Sequence, residues 1–116
     1  MNKTEADYAA VLELRRHAGE VDWWKFEGIK LRLADNTFYT CDFAVMLKGG
    51  IMQMHEVKGY MTDDAAAKIK IAAELYPFEF FVCRKKSKFF WDIRPVGNNR
   101  VPEIISTEPS QCQKQG

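Results

Sequence analysis

The stretch that most constrains this chain is residues 41–58, CDFAVMLKGGIMQMHEVK, two apolar runs joined at Lys48-Gly49-Gly50. The runs read as β-strands, and the glycine pair between them reads as a tight hairpin turn. Strand side chains alternate faces, so Glu56 and Lys58 share one face with Met52 and Met54. Asp42 shares its face with Thr40 and Ala44, while Tyr39, Phe43 and Val45 are expected to point the other way. Pairing through the turn brings Asp42 close to Glu56 and Lys58 at the open end of the hairpin. Carboxylates and an ammonium among apolar residues are unfavourable unless they pair with one another or hold a metal.

The rest of the 116-residue chain is large enough for one domain with its own core, and 47% apolar with 13% aromatic residues is enough to fill one. A formal net charge of +1 favours no particular partner, so any attraction to an anionic polymer must come from a local patch. The three cysteines, Cys41, Cys83 and Cys112, lack metal-site spacing. Cys41 and Cys83 lie in apolar runs and read as buried reduced thiols, which favours a cytoplasmic setting. The amino terminus has no hydrophobic signal core, and no apolar run approaches the ~20 residues of a membrane span. The expectation is a soluble protein without a membrane partner.

In chain order, Thr4 reads as the N-cap of a helix running to about Ala18 and ending at Gly19. Glu5, Tyr8 and Leu12 fall on its inner face. Residues 21–33 alternate as one strand with a bend or bulge at Gly28. Asp35-Asn36 reads as a turn, and residues 38–47 and 51–58 form the two hairpin strands. Thr62 caps a second helix running to about Tyr76, with Ala65, Ile69, Ala72 and Ala73 inward and Lys68 on the flank. Residues 78–83 form a strand apolar on both faces, Arg84 to Lys88 a basic turn, and Phe89 to Ile93 a returning strand. The chain then turns polar. The expected organisation is a single domain over residues 1–107 and a mobile tail over residues 108–116. The fold class is α/β, of the α+β type, a mixed sheet flanked by helices.

An inward Glu on a leading helix, then Asp42, a hairpin, Glu56-Val57-Lys58 and a following helix together resemble the PD-(D/E)xK nuclease superfamily. The resemblance covers Thr4 to about Ile93 and is narrower toward small phage-encoded enzymes of the endonuclease I type of junction resolvase. One departure is Cys41, where that superfamily often has Pro before the Asp. The resemblance implies a restriction-endonuclease-like αβββαβ core and a metal-dependent endodeoxyribonuclease. Its preferred partner would be DNA, branched or junction DNA such as a Holliday junction, in the cytoplasm of a host cell. It also implies that Glu5 joins Asp42 and Glu56 around the metals.

The chemistry can be argued from the residue types. Phosphodiester hydrolysis needs neutralisation of phosphoryl charge and a water in line with the scissile bond. Mg²⁺, for which Mn²⁺ commonly substitutes, takes carboxylate oxygens, waters and substrate phosphate. Asp42 and Glu56 would supply carboxylates, the Val57 carbonyl a neutral oxygen, and Glu5 would suit a second metal. Lys58 is placed to orient or deprotonate the attacking water and to touch the phosphate. His55 alternates away from Glu56 and reads as a packed, hydrogen-bonded core residue. Arg84, Lys85, Lys86 and Lys88, interleaved with Phe89, Phe90 and Trp91 and extended by Lys68, form a candidate nucleic-acid surface. Two symmetric nicks on a junction would require two sites, and hence a homodimer. The alternative is a non-catalytic nucleic-acid- or protein-binding module on the same fold.

Overall fold

The structure, a computed structural model, describes residues 1–59 and 61–97. The expected tail from residue 108, with Cys112, lies outside them. Helix α1 spans Lys3–His17. Its N-cap is Asn2, two residues ahead of the Thr4 expected from sequence. The Asn2 side chain accepts from the Glu5 N–H, and the Glu5 carboxylate accepts from the Asn2 N–H, each at 2.8 Å. This reciprocal pair satisfies two orphan donors of the first turn, which Thr4 could not do from inside the helix. The helix ends as expected, with Gly19 at φ +86° in the left-handed region.

Strands β1 (Val21–Phe26), β4 (Phe43–Leu47), β5 (Met52–Val57), β6 (Glu79–Ser87) and β7 (Phe90–Pro95) form one five-stranded mixed sheet in the order β1-β4-β5-β6-β7. Strands β2 (Lys30–Ala34) and β3 (Thr37–Thr40) form a separate antiparallel hairpin. Helix α2 (Asp63–Leu75), capped by Thr62, links β5 to β6. Those two strands are consequently parallel, whereas every other pairing in the sheet is antiparallel. The architecture is thus mixed α/β, as expected.

Two expected strands are each broken in two. The run 21–33 divides at Glu27-Gly28, where Glu27 takes φ +49° and a side chain at Gly28 would meet the Lys25 Cβ at 2.8 Å. The run 38–47 divides at Cys41-Asp42. These breaks turn the β2–β3 hairpin out of the main sheet, and the Glu27 N–H donates to the Asp42 carbonyl across its base at 2.7 Å. The β2–β3 turn lies at Asp35-Asn36 as expected, with Asn36 at φ +55°. The supposed basic turn is also revised. Arg84 to Ser87 continue β6, and the chain reverses only at Lys88-Phe89.

The sheet is covered on both faces. Tyr8 and Leu12 of α1 pack with Val21, Phe43, Val45, Val57, Phe81 and Cys83 on one side. Ile69 and Ala72 of α2 and Leu31 and Tyr39 of the small hairpin pack with Ala44, Met54, Phe80 and Val82 on the other. Strand β6 is accordingly buried from Phe80 to Cys83 on both faces. Both Cys41 and Cys83 are buried free thiols. Among the described residues no helix is long and apolar enough to cross a membrane.

Under α1 lies a directed hydrogen-bond chain. The Cys83 thiol donates to the Tyr8 hydroxyl, which meets His55 Nδ1. His55 Nε2 faces the Gln53 amide oxygen at 2.8 Å, and the Gln53 amide donates to Glu79 at 2.8 Å. Burial, and secondarily the Arg15 charge, push the imidazole down to about 3, so it is neutral and Nδ1 accepts from Tyr8. His55 is thus the core residue that its strand parity suggested. Tyr8→Phe would leave a buried imidazole nitrogen and a thiol unpaired. It is expected to lower unfolding stability in urea by about 1–3 kcal/mol. Unchanged stability would contradict this account of the core.

Candidate functional site

Asp42, Glu56 and Lys58 meet at the end of the β4–β5 hairpin opposite its glycine turn. The register sets this directly: Phe43 pairs with His55, so the next residue back, Asp42, lies beside Glu56. Asp42 Oδ2 accepts from the Val57 N–H at 2.8 Å, and Glu56 Oε1 lies 3.4 Å from the Asp42 N–H. Each acid is therefore held by, or near, the backbone of the other's strand. Both carboxylates are nearly enclosed, with Asp42 8% and Glu56 7% exposed. Lys58 Nζ sits 3.2 Å from Glu56 Oε2 and is a third exposed. Its N–H donates to the Cys83 carbonyl, which continues the β5–β6 ladder to the point where Lys58 leaves it.

Sequence parity missed one member of this group. Tyr39 was expected opposite Asp42, with Phe43 and Val45, yet its hydroxyl donates to Glu56 Oε1 at 2.7 Å. The bend at Cys41-Asp42 resets the alternation, so Tyr39 joins the face of Glu56 while Phe43 and Val45 keep the other. Neither Gly nor Pro marks that bend. It is held by the Cys41 thiol, which donates to the His55 carbonyl at 2.9 Å. Burial, then the neighbouring Cys41 and Glu56, push the Tyr39 hydroxyl well above the usual phenol range, so it is a fixed donor to Glu56.

Glu5 shares a cleft with Lys58. The cleft, about 440 Å³, is lined by Glu5 and Thr4 of α1, Val57 at the end of β5, Lys58 just after it, and Arg84 and Lys86 of β6, whereas Asp42 and Glu56 are not among its lining residues. The Glu5 carboxylate serves the α1 capping box, and its charge still reaches Asp42 and Lys58. Among the described residues no three His, Cys, Asp or Glu side chains converge closely enough to hold a metal ion together. The pair that does converge is Asp42 with Glu56. The Val57 N–H engages Oδ2 of Asp42 alone. That leaves a carboxylate oxygen for a cation, with Val57 lining the cleft beside it.

The expected nucleic-acid residues divide. Arg84 and Lys86 line the cleft and form no ion pair among the described residues. Lys85 also lines it but is tied to Asp7 at 2.6 Å, across the gap between β6 and α1. That ion pair, and a second with Lys3, hold the Asp7 carboxyl below its usual range. Lys88 lies at the β6–β7 turn over the Phe89 ring. Lys68 is half-buried on α2 and does not line the cleft.

The electrostatics follow from crowding. Burial first, and the Glu56 charge second, push the Asp42 carboxyl up to about 6, against the Val57 N–H and Lys58, which pull it down. For Lys58 burial acts downward, but the charge and hydrogen bond of Glu56, with Asp42 and Glu5, leave the ammonium above its usual value. In this state Lys58 is a firm cation and a donor. Comparison with protein-family models, curated proteins and solved structures finds no match to this chain.

The Asp42 shift fixes a pH dependence. A carboxyl whose folded pKa is raised binds more protons folded than unfolded, so its contribution to stability falls as pH rises from about 4 to about 6. The His55 shift runs the opposite way through the same window, so the difference between two proteins is the informative quantity. With chelator present, Asp42→Asn keeps an acceptor for the Val57 N–H and is expected to be about 1–3 kcal/mol more stable than wild type at pH 8. The gap should close near pH 4 in parallel thermal melts. A gap that stays constant with pH would show that Asp42 is not strained by its charge.

Proposed function

We propose that this chain is a metal-dependent endonuclease that hydrolyses phosphodiester bonds in DNA. The observation that carries the reading is the pair Asp42 and Glu56, two buried carboxylates fixed side by side, with Lys58 linking Glu56 to a cleft that Arg84 and Lys86 also line. Burying two acids together is unfavourable, and a divalent cation offsets that best. The order helix, three main-sheet strands, helix, strand supports the resemblance to the PD-(D/E)xK superfamily. The donor set, hard oxygens alone, suits Mg²⁺ or Mn²⁺ rather than a soft metal.

Bound at Asp42 and Glu56, such a cation would neutralise phosphoryl charge and acidify a water. The chain's own residues supply the rest. Tyr39 and the Val57 N–H lock the two carboxylates, so little reorganisation is needed when substrate binds. Lys58, held protonated, donates to a phosphate oxygen and orients the attacking water. General-base action by Lys58 would need Glu56 to be drawn away toward the cation first. Arg84 and Lys86 hold flanking phosphates. Glu5, on the cleft rim, would be the acid available to a second cation. Branched DNA as substrate, and a two-fold dimer supplying the second site, belong to the same proposal. Light scattering of the full chain, alone and on a four-way junction, tests the dimer.

A second reading, a binding module without catalysis, draws on the Lys58–Glu56 ion pair, which already neutralises one acid. Supercoiled plasmid separates the two. Wild type is expected to nick it in Mg²⁺ or Mn²⁺ and not in chelator. Asp42→Asn and Glu56→Gln should each lower the rate by at least about 100-fold with unchanged circular dichroism, and Lys58→Ala by about 10²–10⁴-fold. Glu5→Gln keeps the Asn2 cap, because its amide oxygen still accepts, and should lower cleavage about tenfold. Wild-type rates in the Asp42 and Glu56 variants would overturn the nuclease reading.

A further inference from the structure

The β6–β7 hairpin runs past the cleft and carries at its turn two aromatic rings that the core does not use. Phe89 and Phe90 are each 68% exposed. Their neighbour Trp91, by contrast, turns inward and packs edge-on against Tyr8 at 4.8 Å between ring centroids. The hairpin therefore has a wedged base and a bare aromatic tip. Phenyl rings left this open are unfavourable in water, and the hairpin itself does not need them, since ladder bonds and Trp91 already hold it.

The charge around the tip narrows the partner. Arg84 and Lys86 lie on the strand leading to it, Lys88 is at the turn, and none of the three forms an ion pair among the described residues. The hairpin's nearby acid, Asp92, is engaged by Arg94 at 3.0 Å. Lys88 stands over the Phe89 ring at 5.5 Å, so the turn presents a cation and an aromatic face together. A basic track from a cleft to a pair of open rings fits a polyanion with planar groups free to stack. Uniform duplex offers the phosphates but keeps its bases stacked on one another. Unpaired bases offer both.

We propose that Phe89 and Phe90 form a stacking platform for unpaired bases, and that the substrate class of the site is therefore nucleic acid with single-stranded or splayed nucleotides beside the bond to be cut. This rests on the nuclease reading for the bond cleaved, but not for the binding. Arg84 and Lys86 track the backbone from the cleft, and the rings fix the register of the strand by stacking.

The test is fluorescence anisotropy of the full chain in chelator, where no cleavage intervenes, with a labelled mixed-sequence single strand and its duplex at one salt concentration. Base–aromatic stacking of ~1–3 kcal/mol per base predicts that Phe89→Ala/Phe90→Ala weakens single-strand binding at least tenfold and duplex binding less than about threefold. Phe89→Leu/Phe90→Leu, which keeps apolar surface but not planar rings, should lose most of the same selectivity. Lys86→Ala/Lys88→Ala should weaken both DNAs alike and flatten the salt dependence. Equal losses on both DNAs in the phenylalanine variants, or no loss on either, would overturn the platform. So would an alanine variant that turns a dimer into a monomer while the leucine variant stays dimeric with wild-type DNA affinity, since the tip would then be a protein interface. Ring-dependent single-strand binding by a protein that never nicks plasmid would keep the platform and remove the nuclease reading.

Discussion

The hydrogen bond from the Val57 N–H to Asp42 joins the ends of the two strands on which the candidate site depends. It closes the mouth of the β4–β5 hairpin just where the backbone ladder stops, at the Cys41-Asp42 bend. A carboxylate takes over a pairing that a backbone carbonyl would make in a regular strand. The bend thereby loses no partner, and an acid is drawn into a nearly enclosed position. Glu56 is held in the same manner by Tyr39 and Lys58. The two acids are thus part of the hairpin's closure as well as candidates for its chemistry.

The two cores give this corner its rigidity. Helix α1 anchors one face through Tyr8 and Leu12, and its first turn delivers Glu5 to the cleft. The β2–β3 hairpin, turned out of the sheet at Glu27-Gly28, packs with α2 on the other face and delivers Tyr39. Strand β6 runs between these layers, buried on both faces until Cys83, then emerges as Arg84 to Ser87. The emerging charges fall at the carboxyl ends of the parallel pair β5 and β6, the edge at which open α/β sheets commonly bind ligands.

Much of this is legible in the sequence where the signal is local. Gly49-Gly50 fixes the hairpin, and strand parity then places Glu56 apart from His55. Thr62 and Gly19 mark helix ends through their own chemistry. Legibility fails where the decisive contact is distant or the punctuation is missing. Nothing in Thr40-Cys41-Asp42 announces a bend, because it is held by a thiol bonding to the His55 carbonyl fourteen residues away. The alternation rule therefore put Tyr39 on the wrong face. The capping box at Asn2 lies in its spacing to Glu5, whereas Thr4, a good cap by type, reads as the N-cap from sequence. The bond between Lys85 and Asp7 spans the whole domain, so no local rule could show that one of the basic residues is already neutralised.

We propose that Asp42 and Glu56 are held together to share a divalent cation. Calorimetric titration of the full chain with Mn²⁺ at pH 8 tests it most directly, because the Asp42 carboxyl is then ionised and no substrate is required. Wild type is predicted to bind with measurable heat, Lys58→Ala to bind at least as well, and Asp42→Asn to lose binding by at least tenfold. Binding to wild type and Asp42→Asn with the same affinity, or no binding to wild type at all, would contradict it.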